Sequence, residues 1–198
     1  MYTALKHTFK LFFIFILFSF NACKENSTDP INIDNYMPLK IGNKWSYSSF
    51  THNMPPNPEN ITETWEVVGS KLVDGEALYI IKRQFTIPTS INADSLYFFN
   101  RGNRLYQAFK DDESGGTYSA FLIADFSLDI SNSFRTQSNM LYNVTVTSKS
   151  NDKMSFSYDA PGAVDEEYTN TFKKGTGLYE SFSDAWGVGK RLVKTELK

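Results

Sequence analysis

At 198 residues, the chain is long enough for one domain with an ordinary hydrophobic core, so no metal or disulfide staple is required. Its 20 Lys and Arg against 22 Asp and Glu give a net charge of −2 that is spread along the sequence without basic or acidic blocks, which argues against a nucleic-acid partner. Cys23 is the sole cysteine, which excludes an intramolecular disulfide, while 17 Phe, 11 Tyr and 3 Trp punctuated by Gly, Asn, Asp and Pro are the composition of a sheet protein.

Residues 1–10 are short and basic, and 11–20 (LFFIFILFSF) form an apolar run interrupted by one Ser. Ten residues are half of what a helix needs to span about 30 Å of hydrocarbon. They match the core of a cleavable signal instead, so residues 1–22 read as a signal peptide. Its removal takes Lys6 and Lys10 and no acid, leaving a mature net charge of −4. The run ends in Phe20-Asn21-Ala22-Cys23, which resembles the lipobox of bacterial lipoproteins. That resemblance implies that Cys23 is acylated and becomes the first mature residue. Several acyl chains on one Cys anchor stably where one chain is marginal. Residues 23–35 are polar and broken by Pro30, the composition of a flexible tether. Lys24 differs from the Asp that marks inner-membrane retention, and outer-membrane attachment is expected.

From Tyr36 to Lys198, period-2 patterns predict a single β-rich domain. Gly42-Asn43 is expected to turn the chain into a strand over Lys44–Thr51, with Trp45 and Tyr47 on one face. A Pro-rich loop (Met54-Pro55-Pro56-Asn57-Pro58) precedes Thr62–Val73, where Trp65, Val67 and Val73 are expected to share a face and Gly69 to mark a bulge. Asp74-Gly75 predicts a tight hairpin into Ala77–Thr86. Further strands are expected over Asp94–Asn100, Arg104–Lys110, Thr117–Asp125, Met140–Lys149, Lys153–Ala160, Glu166–Phe172, Gly177–Ser183 and Val188–Leu197.

The opening Tyr36-x-Pro38-Leu39-x-x-Gly42-Asn43-x-Trp45-x-Tyr47 resembles a group of Bacteroidetes-type lipoproteins, together with a looser Gly175-x-Gly177-Leu178 near the end. The resemblance implies the lipoprotein class and a β fold, and brings no activity with it.

About eleven short-turned strands predict an all-β antiparallel meander curled into a barrel or half-barrel, with a two-sheet sandwich as the alternative. Strands 77–86, 94–100 and 117–126 are apolar on both parities, so the middle of the sheet is expected to be covered on both faces and its late part on one. Tyr97, Phe99, Tyr142 and Phe156 are the candidate apolar ligand face.

Catalytic equipment is sparse. The mature chain has one His, His52, without the partners of a metal site or a serine triad. Glu63 and Glu66 flank Trp65 but project from opposite faces of one strand, unlike a glycosidase pair. Asp111–Gly116 lacks calcium-loop spacing, and Gly175-Thr176-Gly177 is not a phosphate loop. The expected function is therefore a non-catalytic envelope module with no cofactor and no metal. It is tethered to the membrane and binds an envelope protein, a glycan or a lipid. A tethered acceptor of an apolar ligand and a glycan hydrolase are the alternatives.

Overall fold

The structure, a computed structural model, describes residues 35–87, 90–111, 117–136, 141–163 and 166–198. The leader, Cys23 and most of the tether lie outside the described residues, as do Met140 and the tip of the Asp111–Gly116 loop. Ile31–Lys198 forms one compact unit.

Twelve strands follow in chain order: β1 (Lys44–Thr51), β2 (Glu63–Val73), β3 (Glu76–Ile87), β4 (Ser90–Arg101), β5 (Arg104–Asp111), β6 (Thr117–Asp125), β7 (Ser133–Arg135), β8 (Asn143–Lys149), β9 (Lys153–Asp159), β10 (Tyr168–Lys173), β11 (Gly177–Ser183) and β12 (Val188–Glu196). They form one antiparallel sheet, β6-β5-β4-β3-β2-β1-β12-β11-β10-β9-β8-β7. Each strand pairs with its sequence neighbours except across β6–β7, and β12 pairs with β1. The meander therefore curls into a barrel that is nearly closed, its seam between β6 and β7. A single sheet rules out the sandwich. The strand absent from the sequence reading is β7, whose three residues are too few to show a period.

The seam is filled by side chains. Phe126, Leu128 and Phe134 pack against the main core, and the buried Tyr158 hydroxyl donates to the Ile123 carbonyl across it at 2.6 Å. Closing a sheet on itself in this way leaves little unpaired edge exposed.

Inward-facing residues of nearly every strand build the main core: Trp45 and Tyr47 from β1, Trp65 and Val67 from β2, Ile81 from β3, Phe98 from β4, Phe156 and Tyr158 from β9. The β2 register shifts between Val67 and Gly69, the bulge expected at Gly69. The extra residue reverses the phase of the strand. Val73 consequently leaves the face of Trp65 and Val67 and packs against a second cluster, contrary to the expectation that the three share a face.

That second cluster lies on the outer face: Leu78, Phe99 and Ala108, flanked by Tyr97, Tyr106 and Tyr118. Phe99 stacks on Tyr106 at 4.8 Å. Long cations cap the patch, with Arg101 over both rings and Lys71 over Tyr97 and Tyr118. Strands β3–β6 thus bury apolar side chains on both faces, but they form one flank of the sheet rather than its middle, which is β1 and β12, and Ile91 and Phe109 stay exposed on them.

The opening motif closes one end of the barrel. Tyr36, Met37 and Leu39 are buried in the main core. Lys40–Asn43 forms a turn closed by Asn43 N–H to the Lys40 carbonyl at 3.0 Å, with Gly42 at φ +88° in its third position. Asn43 does not share the positive φ. Its amide is buried instead, donating to the Pro38 carbonyl at 2.8 Å and accepting from the Lys198 N–H at 2.8 Å.

Candidate functional site

Alternating strand directions sort the connections between the two ends of the barrel. The chain entry at Asn35, the C-terminus and the β2–β3, β4–β5, β8–β9 and β10–β11 turns share one end. The β1–β2 loop, the β9–β10 loop and the β11–β12 hairpin share the other, here called the distal end.

At the distal end, the Pro-rich β1–β2 loop and the β11–β12 hairpin wall a cleft of about 440 Å³ lined by Phe50, His52, Pro55, Pro56, Phe182 and Arg191, among others. Its floor is a stack of Phe50 on Phe182 at 5.3 Å, with Arg191 over the Phe50 ring. The stack exists because position 189 carries no side chain. A Cβ there would lie 2.6 Å from Phe182 Cδ2 and 2.9 Å from Phe50 Cε1. His52 meets Phe182 edge-on at 4.9 Å, and its N–H donates to the Gly187 carbonyl at 3.2 Å, which fastens the loop to the hairpin. Glu180 ion-pairs with Arg191 across β11–β12. Met54 and Trp186, on the same loop and hairpin, are 66% and 71% exposed. Apolar side chains exposed beside an aromatic cleft with one charged pair are the makings of a recognition surface.

Inside the distal half of the barrel lies a charged cluster. Lys190 Nζ donates to Glu63 Oε1 at 2.8 Å, and Trp65 Nε1 donates to the same oxygen at 2.5 Å. Lys190 sits over the Trp65 and Tyr47 rings. Burial holds its pKa below the ordinary lysine value, offset in part by Glu63. On the neighbouring strands Arg83 and Asp94 form a bidentate pair, and the Arg83 hydrogen bonds keep the Asp94 carboxyl below its usual range. The Tyr47 hydroxyl is buried here with no hydrogen-bond partner, and burial raises its pKa well above the ordinary tyrosine value. Each carboxylate in this cluster is bonded to a cation, an arrangement of structural ion pairs rather than a free acid and base.

The four candidate face residues do not form one surface. Tyr97 and Phe99 belong to the outer cluster. Phe156 is fully buried in the main core, and Tyr142 packs against that core, edge-on to Tyr158 and Tyr168. Successive side chains along each strand alternate between inside and outside, so shared parity along one strand says nothing about which face another strand presents. Cys23 lies outside the described residues. Glu63 points into the barrel and Glu66 is exposed, opposite faces as expected. Among the described residues no group of three His, Cys, Asp or Glu is placed to hold a metal, and no helix is long and apolar enough to cross a membrane.

The residues that sequence reasoning missed are Phe50, Phe182, Gly189, Lys190 and the Arg83–Asp94 pair. Arg83 and Asp94 face each other because the hairpin register around residues 87–90 pairs them, a signal present in the sequence once the turn is fixed. Phe50 and Phe182 meet across β12, from strands far apart in the chain, and no local pattern announces that.

No protein-family model matches the sequence, and no curated protein matches it. Among solved structures, the chain is similar to a candidate lipoprotein of Parabacteroides distasonis (10% identity, 82% of this chain and 99% of that one, TM-score 0.45). It is also similar to a candidate exported protein of Bacteroides fragilis with a YmcC-like fold (9% identity, 83% of this chain and 100% of that one, TM-score 0.49). Neither likeness bears on what this chain binds.

Proposed function

We propose that the chain is a lipoprotein of the cell envelope, anchored at the outer membrane through acylated Cys23, whose barrel is a non-catalytic binding module. The observation that carries the binding role is the distal cleft, where Phe50, Phe182 and the Pro-rich loop form an aromatic recess beside exposed Met54 and Trp186. The anchored role rests on the apolar run of 11–20 ending at Ala22-Cys23. The cleft supports an envelope protein or glycan as ligand over an apolar molecule carried inside, because Trp45, Tyr47, Phe156 and Tyr158 already fill the interior.

The test is a native pull-down of the detergent-extracted full chain, comparing the unaltered protein with Trp186→Ala, followed by mass spectrometry of proteins and glycans. A partner retained by the unaltered protein and lost with Trp186→Ala is the expected result. An unchanged set of partners overturns the distal cleft as the binding surface. In parallel, Cys23→Ala should abolish incorporation of labelled palmitate and release the protein from the membrane fraction. Retention of both signals overturns the lipoprotein reading.

A further inference from the structure

Along the chain the charges look evenly mixed, but the fold sorts them. On the side of the barrel where the chain enters at Asn35, segments 40–44, 71–76, 101–104, 125–129, 149–153, 173–174 and 194–198, with Glu66 and Lys82 paired level with Lys44, hold twelve Lys and Arg against seven Asp and Glu. At the distal end, the described residues of segments 59–63, 83–94, 110, 135, 159–167 and 180–191 hold five against eight. A barrel that is nearly neutral as a whole is therefore electrically polar, with its positive pole at the entry end.

Three further features mark that end. Ile41, Leu72 and Ile130 are 53%, 77% and 54% exposed, each beside a connection there. Ile41 sits in the turn between Lys40 and Lys44, so an apolar tip is flanked by cations, and Lys71 is adjacent to Leu72. A cleft of about 770 Å³ opens among Asn35, Asn100, Asn103, Lys149, Ser150 and Lys174, a polar lining in which Lys149 pairs with Asp129 and the Asn100 amide donates to the Met37 carbonyl. Finally, Cys23 precedes Asn35 by twelve residues, so the fully extended chain between them spans at most about 40 Å. A lipid on Cys23 keeps this end within that distance of a bilayer surface.

We infer that the entry end of the barrel docks on an anionic phospholipid surface. Its lysines approach the headgroup phosphates, and Ile41, Leu72 and Ile130 dip into the interface. Positive charge clustered near a membrane gains attraction to acidic headgroups that decays within a Debye length, and small apolar tips add to it. The consequence is orientational. The barrel stands on its positive pole and directs the Phe50–Phe182 cleft away from the membrane. For the presence of a lipid surface this inference rests on the anchored reading, and a test on the anchor-free domain lets the two fail separately.

Residues 31–198 carry the whole described core and are the fragment to use. Co-sedimentation is measured with phosphatidylglycerol vesicles and with phosphatidylcholine vesicles, at low and at molar salt. The expected result is binding to phosphatidylglycerol alone, abolished by salt. The variant Lys40→Glu/Lys173→Glu should weaken it at least about tenfold, whereas Lys110→Glu/Arg135→Glu, an equal charge change at the distal end, should leave it within about twofold. Lysine acetylation footprinting of the unaltered domain provides the second readout should the first variant fold poorly. Vesicles should shield Lys40, Lys173 and Lys174 and leave Lys110 reactive. Absence of binding to phosphatidylglycerol, equal binding to both lipids, equal loss in the two variants, or shielding of Lys110 instead would each overturn the inference.

Discussion

The indole nitrogen of Trp45 would lie 2.8 Å from a Cβ placed on Gly177, and it donates its hydrogen to the carbonyl of Thr176. Two features of the sequence, the Trp of the opening motif and the Gly-x-Gly near the end, are thus one contact. Gly177 stands at φ +115°, a conformation that side chains disfavour, and Met37 Sδ would lie 3.2 Å from the same Cβ.

Trp45→Ala should cost roughly 3–5 kcal/mol, because a fully buried indole is removed and its cavity cannot collapse against neighbouring strands. Gly177→Ala should also destabilise, through both strain and the clash with Trp45. If the two residues act as one contact, the double variant will be less unstable than the sum of the singles. Chemical denaturation of the four proteins measures this directly, and strict additivity would show the contact to be incidental.

Asn43 ties three parts of the chain together. Its side chain bridges the Pro38 carbonyl and the Lys198 N–H, and its backbone carbonyl accepts from Val67 at 2.9 Å. Asn43→Ala would leave the buried Pro38 carbonyl without a partner and cut the tie to the Lys198 N–H, an expected loss of about 1–3 kcal/mol. Deleting Leu197 and Lys198 should lower the melting temperature of the unaltered protein and shift that of Asn43→Ala less, since one of the two bonds is already gone.

Lys190 and Glu63 supply a test of a buried pair. Lys190→Met leaves the Glu63 carboxylate largely desolvated beside Trp65, and Glu63→Leu leaves Lys190 equally stranded, so each should destabilise by about 3–5 kcal/mol. The double variant Glu63→Leu/Lys190→Met should recover most of that loss. Failure to recover would mean that the pair positions Trp65 and Tyr47 in a way that apolar packing cannot replace.

Asp125 should govern part of the acid sensitivity. Burial pushes its carboxyl upward, but hydrogen bonds from Ser127 and Arg104 outweigh that and hold it below the ordinary value of 3.8. With the folded pKa depressed, the unfolded chain takes up the proton first as pH falls. The stabilisation is complete above the ordinary Asp pKa and is lost as pH drops through the folded value. The melting temperature of the unaltered protein should therefore fall more steeply below about pH 4 than that of Asp125→Asn.

Strand-level structure was legible because its cause is local. Lys44–Thr51, Thr117–Asp125 and Gly177–Ser183 occupy the spans expected from alternation and turn residues. Asp74 and Gly75, at φ 50° and 83°, form the hairpin turn that their chemistry demands. The bulge at Gly69 was legible from the change of parity, but its effect on Val73 was not, since that depends on which side of the sheet becomes the interior. The candidate face failed for the same reason. Tyr97 and Phe156 look alike in sequence, and only closure of the barrel puts one outside and one at the centre.

What the sequence by itself determined is the class of element, the order of the strands and their antiparallel pairing, because periodicity and turn chemistry are properties of short segments. Closure, inside against outside, the cleft of Phe50 and Phe182 across Gly189, and the separation of charge into a positive and a negative pole were decided only by the tertiary structure. Each of these depends on residues distant in the chain, brought together by the register of twelve strands and by the burial that a closed sheet imposes on one of its faces.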